Sequence, residues 1–255
     1  MKLQSSAFGI ILFLVAAVSN AAAQDYYEDH KKGDPYRFEE PDGFVWYKDV
    51  KNGAVQVYDK DMKVLIPRSR GYKSCTFRED SRTFSLQRFS QGPNEKVILY
   101  AGLAKADGTE VIRWEQQYNS CYKEKNGNRY RVKKGEFVGV CDSTGREIIS
   151  PDLGYTSCLA THGCYKVGNG KYVGLHDFET GKMMIPLSRH YTSFSFNIVR
   201  NYIPVSRGNL KGACLMDGTE VIAPEWYGCV YNDKTGCFMV RRGVDTLWER
   251  TDIRL

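Results

Sequence analysis

What this sequence lacks narrows it first. Beyond residue 23 no apolar run is long enough to span a bilayer, which takes roughly 20 residues. Past that point apolar residues nowhere recur at a sustained 3.6-residue spacing, so few helices are expected. Charge of one sign is not concentrated either: 36 Lys and Arg stand against 30 Asp and Glu, a formal net charge of +6. No basic block marks a nucleic-acid partner, and a solvated surface of mixed sign is the simpler reading. A phosphate-cradling glycine loop, a nucleophile elbow and a dinucleotide fingerprint are all missing. "CLATHGC" gathers Cys158, His162 and Cys164. A structural zinc needs four ligands, however, and no second cluster completes the set. Neither a metal nor a cofactor is expected.

The one long uncharged run, Ala7 to Val18, follows Lys2 and precedes Ala21-Ala22-Ala23. That order is the grammar of a cleaved signal peptide, residues 1–23. The mature chain is therefore expected to be exported, whether periplasmic, cell-surface or secreted, with no membrane insertion after cleavage. No cysteine precedes Cys75, so the new N-terminus carries no lipid-modified thiol. Eight cysteines in an exported chain favour disulfides over metal sites.

What is present is a repeat. Five apolar runs close on Ile66, Ile112, Ile149, Ile185 and Ile222, at spacings of 46, 37, 36 and 37 residues. Their surroundings read "YDKDMKVLIP", "AKADGTEVIRW", "CDSTGREIISP", "HDFETGKMMIP" and "CLMDGTEVIAP". Tyr72, Tyr118, Tyr155 and Tyr191 each follow their isoleucine by six residues, and Tyr227 follows by five. Gly102, Gly139, Gly174 and Gly212 sit in register upstream. Fixed-period recurrence of this kind marks a repeat protein.

Within each unit the pattern is that of hairpins. Asp142-Ser-Thr-Gly145 suits a turn, with Asp capping it and Gly tolerating positive φ. Short β-rich stretches flank it, and Pro67, Pro151, Pro186 and Pro224 end the second strand. The expected fold is all-β: a serial array of about five antiparallel β-meander repeats spanning residues 44–240. An open twisted array is favoured over a five-bladed propeller, because the unit is short. Residues 24–43 read as a charged N-terminal arm, 78–95 as an elongated loop, and 241–255 as a C-terminal cap.

The repeat resembles the WG-containing (KWG) repeat of bacterial secreted and surface proteins, whose units read roughly W-G-Y-I-D-x-x-G-x-E-V-I-x-P-x-Y. Val138, Val173 and Lys211 take the place of the signature Trp before the register glycines. The resemblance implies architecture more than activity.

No column gathers a nucleophile, a base and an electrophile. The Asp column (Asp59, Asp142, Asp177) loses its carboxylate to Lys105 and Leu215, as a turn position tolerates and a catalytic one does not. Cys141, His176 and Cys214 share a column with Tyr58 and Ala104, a variety typical of packing. No catalytic residue is assigned. The leading expectation is a monomeric, non-enzymatic module presenting a β-surface to a protein or glycan. An envelope spacer is the alternative, and a hydrolase comes third. Tyr72, Tyr118, Tyr155, Tyr191 and Tyr227 form a ladder that either packs between units or stacks on sugars. Two disulfides are expected, Cys158 with Cys164 and Cys229 with Cys237, each read as facing across one hairpin. Cys141 and Cys214 are expected as thiols, and a bridge between Cys75 and Cys121 is left open.

Processing is directly checkable. Intact mass of exported protein should show a chain starting at Gln24, and material still carrying Ile10 to Val18 would overturn the expected compartment.

Overall fold

A computed structural model describes residues 34–92, 97–125 and 127–255. Residues 1–33, which contain the expected leader and the start of the arm, lie outside it. Every regular element among the described residues is a β-strand or a three-residue 3-10 turn. The chain divides into two compact units, one ending at Gly71 and the other running Tyr72–Leu255.

The first unit contains sheet 1, a meander of β1 (Tyr36–Glu39), β2 (Val45–Lys51), β3 (Ala54–Asp59) and β4 (Val64–Ile66). The second half of the expected arm is thus partly a strand, with Phe38 opposite Trp46 and their rings stacked at 4.2 Å.

The second unit contains five sheets. Sheet 2 is β5 (Ser74–Arg78), β6 (Thr83–Gln91), β7 (Val97–Lys105) and β8 (Glu110–Ile112). Sheet 3 is β9 (Ser120–Lys123), β10 (Tyr130–Lys134), β11 (Phe137–Cys141) and β12 (Glu147–Ile149). Sheet 4 is β13 (Ser157–Thr161), β14 (Cys164–Gly168), β15 (Val173–Asp177) and β16 (Met183–Ile185). Sheet 5 is β17 (Ser193–Phe194), β18 (Tyr202–Arg207), β19 (Leu210–Leu215) and β20 (Glu220–Trp226). Sheet 6 has three strands, β21 (Gly228–Asn232), β22 (Cys237–Arg241) and β23 (Glu249–Arg250). All six sheets are antiparallel meanders in sequence order, and none closes into a barrel. The fold is an all-β serial array, as the repeat predicts.

Two expectations need correcting. Half of the segment 78–95 is strand, not loop: Thr83–Gln91 form β6, which pairs with β7 from Thr83↔Lys105 to Gln91↔Val97. The extra residues of that repeat lengthen a hairpin. The expected cap also contributes β23 to a sixth sheet.

Sheets 1 to 4 each end on their anchor isoleucine, and the chain then turns a tight corner. After Ile149 the corner is a 3-10 turn at Pro151–Leu153, stopped by Gly154 at φ 76. The same corner follows Ile112 and Ile185, stopped by Gln117 and His190 in left-handed conformations. The register tyrosine comes next. Its carbonyl ties back to the sheet just left: Ala101 N–H donates to Tyr118, Val138 to Tyr155 and Val173 to Tyr191, at 2.7, 2.7 and 2.8 Å.

A bulge sits at the end of every four-stranded sheet in this unit. In sheet 3, Val140 faces Ile149 and Cys141 faces Glu147, so Ile148 is the extra residue. Val111 and Met184 are the extra residues of sheets 2 and 4. The turn glycine of the next sheet lies against each bulge: Gly145 on the Val111 carbonyl, Gly181 on Ile148 and Gly218 on Met184. These glycines have φ of +86°, +69° and +89°, and a Cβ on any of them would come under 3.0 Å from the bulged carbonyl oxygen. Here glycine is required twice, by conformation and by contact. Apolar clusters fill the same seams. Ile149, Val140 and Tyr155 of sheet 3 and its corner meet Cys158, Tyr165 and Val167 of sheet 4.

Gly170 (φ +88°) has nothing within 4 Å of a built Cβ, which makes it a matched control for Gly181. Gly170→Ala should cost about 1 kcal/mol from backbone strain alone. Gly181→Ala should cost on the order of 3 kcal/mol, because the contact is added. Equal urea midpoints for the two variants would refute the seam contact.

Candidate functional site

Four of the five ladder tyrosines are buried. Tyr72, Tyr118, Tyr155 and Tyr191 are 0–3% exposed, so none has an open ring face on which a sugar could stack. Tyr227 differs, at 47% exposed. Its repeat runs straight through Pro224 in β20 without a 3-10 corner, and the five-residue spacing leaves its ring outside.

The buried hydroxyls reach forward into the next sheet. Tyr118 donates to Glu147, with the Cys141 thiol 3.8 Å away. Tyr191 donates to Glu220, with the Cys214 thiol at 3.5 Å. Burial, together with the acceptors, pushes both phenols far above their ordinary range. The turn-glycine carbonyls are also taken: Gln116 donates to Gly145 at 3.0 Å and Arg189 to Gly218 at 2.7 Å.

The middle seam uses one side chain for both tasks. His176, 2% exposed, accepts from the Tyr155 hydroxyl at Nε2 (2.8 Å) and donates from Nδ1 to the Gly181 carbonyl (2.8 Å). That pair of bonds requires the neutral ring protonated on Nδ1. The column that looked like a packing position is thus the receptor for the preceding tyrosine.

The cysteines need a correction. Cys158 faces Val167 and Cys164 faces Thr161; likewise Cys229 faces Val240 and Cys237 faces Asn232. The two members of each expected pair are three residues out of register and project from opposite faces of their sheet. Cys158 packs toward sheet 3 and Cys164 toward sheet 5. The cause is the turn. His162 and Gly163, at φ 47° and 70°, make a two-residue reversal that closes Thr161 onto Cys164. Cys121, Cys141, Cys158, Cys164, Cys214, Cys229 and Cys237 are thiols, so Cys121 does not bridge to Cys75 either. Burial raises Cys121, Cys141 and Cys229 to about 12 and Cys158 to about 11, far from a reactive thiolate.

Open space lies at the turn ends of sheets 2 to 4. One cavity, about 510 Å³, is lined by the β6 entry, the Lys105–Asp107 turn, Lys123, Asn128, Tyr130 and Ser143. A second, about 330 Å³, is lined by Asn128, Ser143, Arg129, Asp142, Phe178 and Glu179. Asn128 and Ser143 line both, so the two adjoin as one groove across three repeats. Below it Glu124 and Arg131, each about one tenth exposed, pair with one another. Arg131 also donates to the Cys158 carbonyl, and Tyr165 donates to Glu124 at 3.2 Å, which ties sheet 3 to sheet 4. Sequence reasoning missed this groove because its lining comes from five separate turns. Among the described residues no group of three or more His, Cys, Asp or Glu is placed to hold a metal ion.

His176 gives a pH signature. Desolvation holds it below its ordinary value of 6.5, outweighing the bond to Gly181. The unfolded chain therefore takes up that proton first. The neutral ring's contribution is complete above about 6.5 and is lost as pH falls from there, until the folded ring itself protonates. The urea midpoint should drop over that window in wild type. His176→Cys, which installs the residue that neighbouring repeats have in this column, should remove this step from the pH profile; an unchanged step would discount the bridge.

No protein-family model matches the sequence, and no curated protein matches it. Among solved structures the chain is similar to a eukaryotic initiation factor, with a TM-score of 0.35 and 8% identity over 85% of this chain and 65% of that one. It is also similar to the extracellular domain of a putative hybrid two-component system from B. thetaiotaomicron, with a TM-score of 0.27 and 12% identity over 81% and 32%. A third is Hsv2p of Kluyveromyces lactis, with a TM-score of 0.28 and 9% identity over 67% and 57%. The chain spans less than two thirds of each of these proteins, and likenesses this loose carry no argument about what it binds.

Proposed function

We propose that this protein is an exported, non-enzymatic binding module of WG-repeat kinship. It holds an extended polar ligand, a glycan or a protein segment, along the groove of sheets 2 to 4. The observation that carries the reading is how the chemistry-bearing side chains are used. Tyr118, Tyr155 and Tyr191, with their acceptors Glu147, His176 and Glu220 and the buried Cys141 and Cys214, are consumed in the seams, which makes them unavailable as nucleophile or base. Remaining at the surface is a groove of amides, hydroxyls and charges contributed by successive repeats. That is how stacked repeats bind without specialised chemistry. Among the described residues no helix is long and apolar enough to cross a membrane.

The test is retention of a ligand from surface extracts and a glycan panel by immobilised protein. Asn128 and Ser143 are exposed and line both cavities. Asn128→Ala and Ser143→Ala should each weaken retention about five-fold, as loss of one hydrogen bond of about 1 kcal/mol does, while leaving the urea midpoint unchanged. A wild-type protein that retains nothing would favour the envelope-spacer reading instead.

A further inference from the structure

The two cavities of the groove differ in charge. In the smaller one the charges are neutralised internally: Arg129 pairs with Glu179 at 2.9 Å and lies 4.5 Å over the Phe178 ring. Its Asp142 accepts from Thr144 and Arg146 within its own turn and is held down near 2. The larger cavity has Lys105 and Lys123 in its lining with a single carboxylate, Asp107. That carboxylate accepts from the Thr109 N–H at 2.9 Å within its own turn, and with the Lys105 charge also acting on it, it is held below its ordinary value, which leaves Lys123 as the cation without a charge partner in the lining.

Lys105 is the departure that creates this imbalance. It occupies the turn-entry column that holds Asp59, Asp142 and Asp177 in other repeats. Its backbone still closes the turn, donating to the Thr109 carbonyl at 2.9 Å, while Asp107 takes over the capping. The cation is therefore not needed for the turn. Lys123, half-buried at the end of β9, lies on the facing wall from sheet 3. Like charges converging on a recess with low-dielectric walls focus a positive potential there. A carboxylate, sulfate or phosphate oxygen relieves it through charge-assisted hydrogen bonds. The neutral lining, Asn128 and Ser143, offers the amide and hydroxyl groups that sugar hydroxyls need.

We infer that the cavity between sheets 2 and 3 binds an oxyanion of an acidic glycan, with Lys105 and Lys123 as the contacts. This deepens the binding reading above and rests on it.

The experiment is calorimetric titration of the full chain with a sulfated oligosaccharide, an oligouronate and a neutral oligosaccharide of equal length. At least one acidic sugar should bind about ten-fold or more tightly than the neutral one, and the stronger of the two identifies the oxyanion. Its affinity should fall as salt rises from about 0.05 M to about 0.5 M. Lys105→Asp restores the column's usual residue, and with Lys123→Gln it should weaken binding at least about five-fold at unchanged urea midpoint. Lys171→Gln, outside the cavity, should change nothing. Equal affinity for the neutral sugar, an equal loss with Lys171→Gln, or tighter binding of a polyglutamate peptide would each overturn the assignment. If extracts still yield a retained ligand while no acidic sugar binds, this inference falls and the binding reading stands.

Discussion

The structure depends on one joint, made three times. A tyrosine leaving one sheet passes its hydroxyl to an acceptor in the next, and the next sheet's turn glycine settles on the bulged carbonyl just left behind. Glu147, His176 and Glu220 are the acceptors. Buried hydroxyls and carbonyls without partners are costly, so each joint is either complete or strongly disfavoured. The sheets are small, and none has an apolar face that could be left in water. Cohesion therefore resides between neighbours, as nearest-neighbour terms along an array. The bulge is the mechanical part of the joint, because it turns a carbonyl out of the ladder toward the next repeat.

The same arrangement explains why the surface is free to vary. Once tyrosine, glycine and bulge have set the spacing of the repeats, the turn tips carry little of the packing. Lys105 replaces an aspartate without loss of the turn, and the β6–β7 hairpin extends to nine residues on each side without disturbing its bulge. Groove chemistry and array geometry are consequently separable.

Much of the array was legible in the sequence. The isoleucine period fixed the repeats, Asp-x-x-Gly located the turns, and tyrosines at a constant offset pointed to the seam. The bulge was not legible, because an extra residue such as Ile148 shows only once both strands are in register. The disulfide expectation failed at the same step: cysteines flanking a turn were taken to face one another, although the turn is shorter than the stretch between them. The sixth sheet was half visible, since "CFMV" gives its middle strand and β23 is two residues long. The groove was visible only as an exception. Lys105 broke the aspartate column, and in sequence terms that argued against catalysis without indicating what the lysine faces.

The middle joint makes the repeats non-interchangeable. At the two offsets where its neighbours have Glu147 or Glu220, and Gln116 or Arg189, it has Met183 and Leu153, both exposed. His176 alone supplies the acceptor and the donor that those residues would have supplied. A repeat transplanted whole from one position to another would arrive with the wrong half of two joints, one on each side. Exchanging whole repeats would require matched changes on both sides of each boundary, because every interface draws its residues from two repeats.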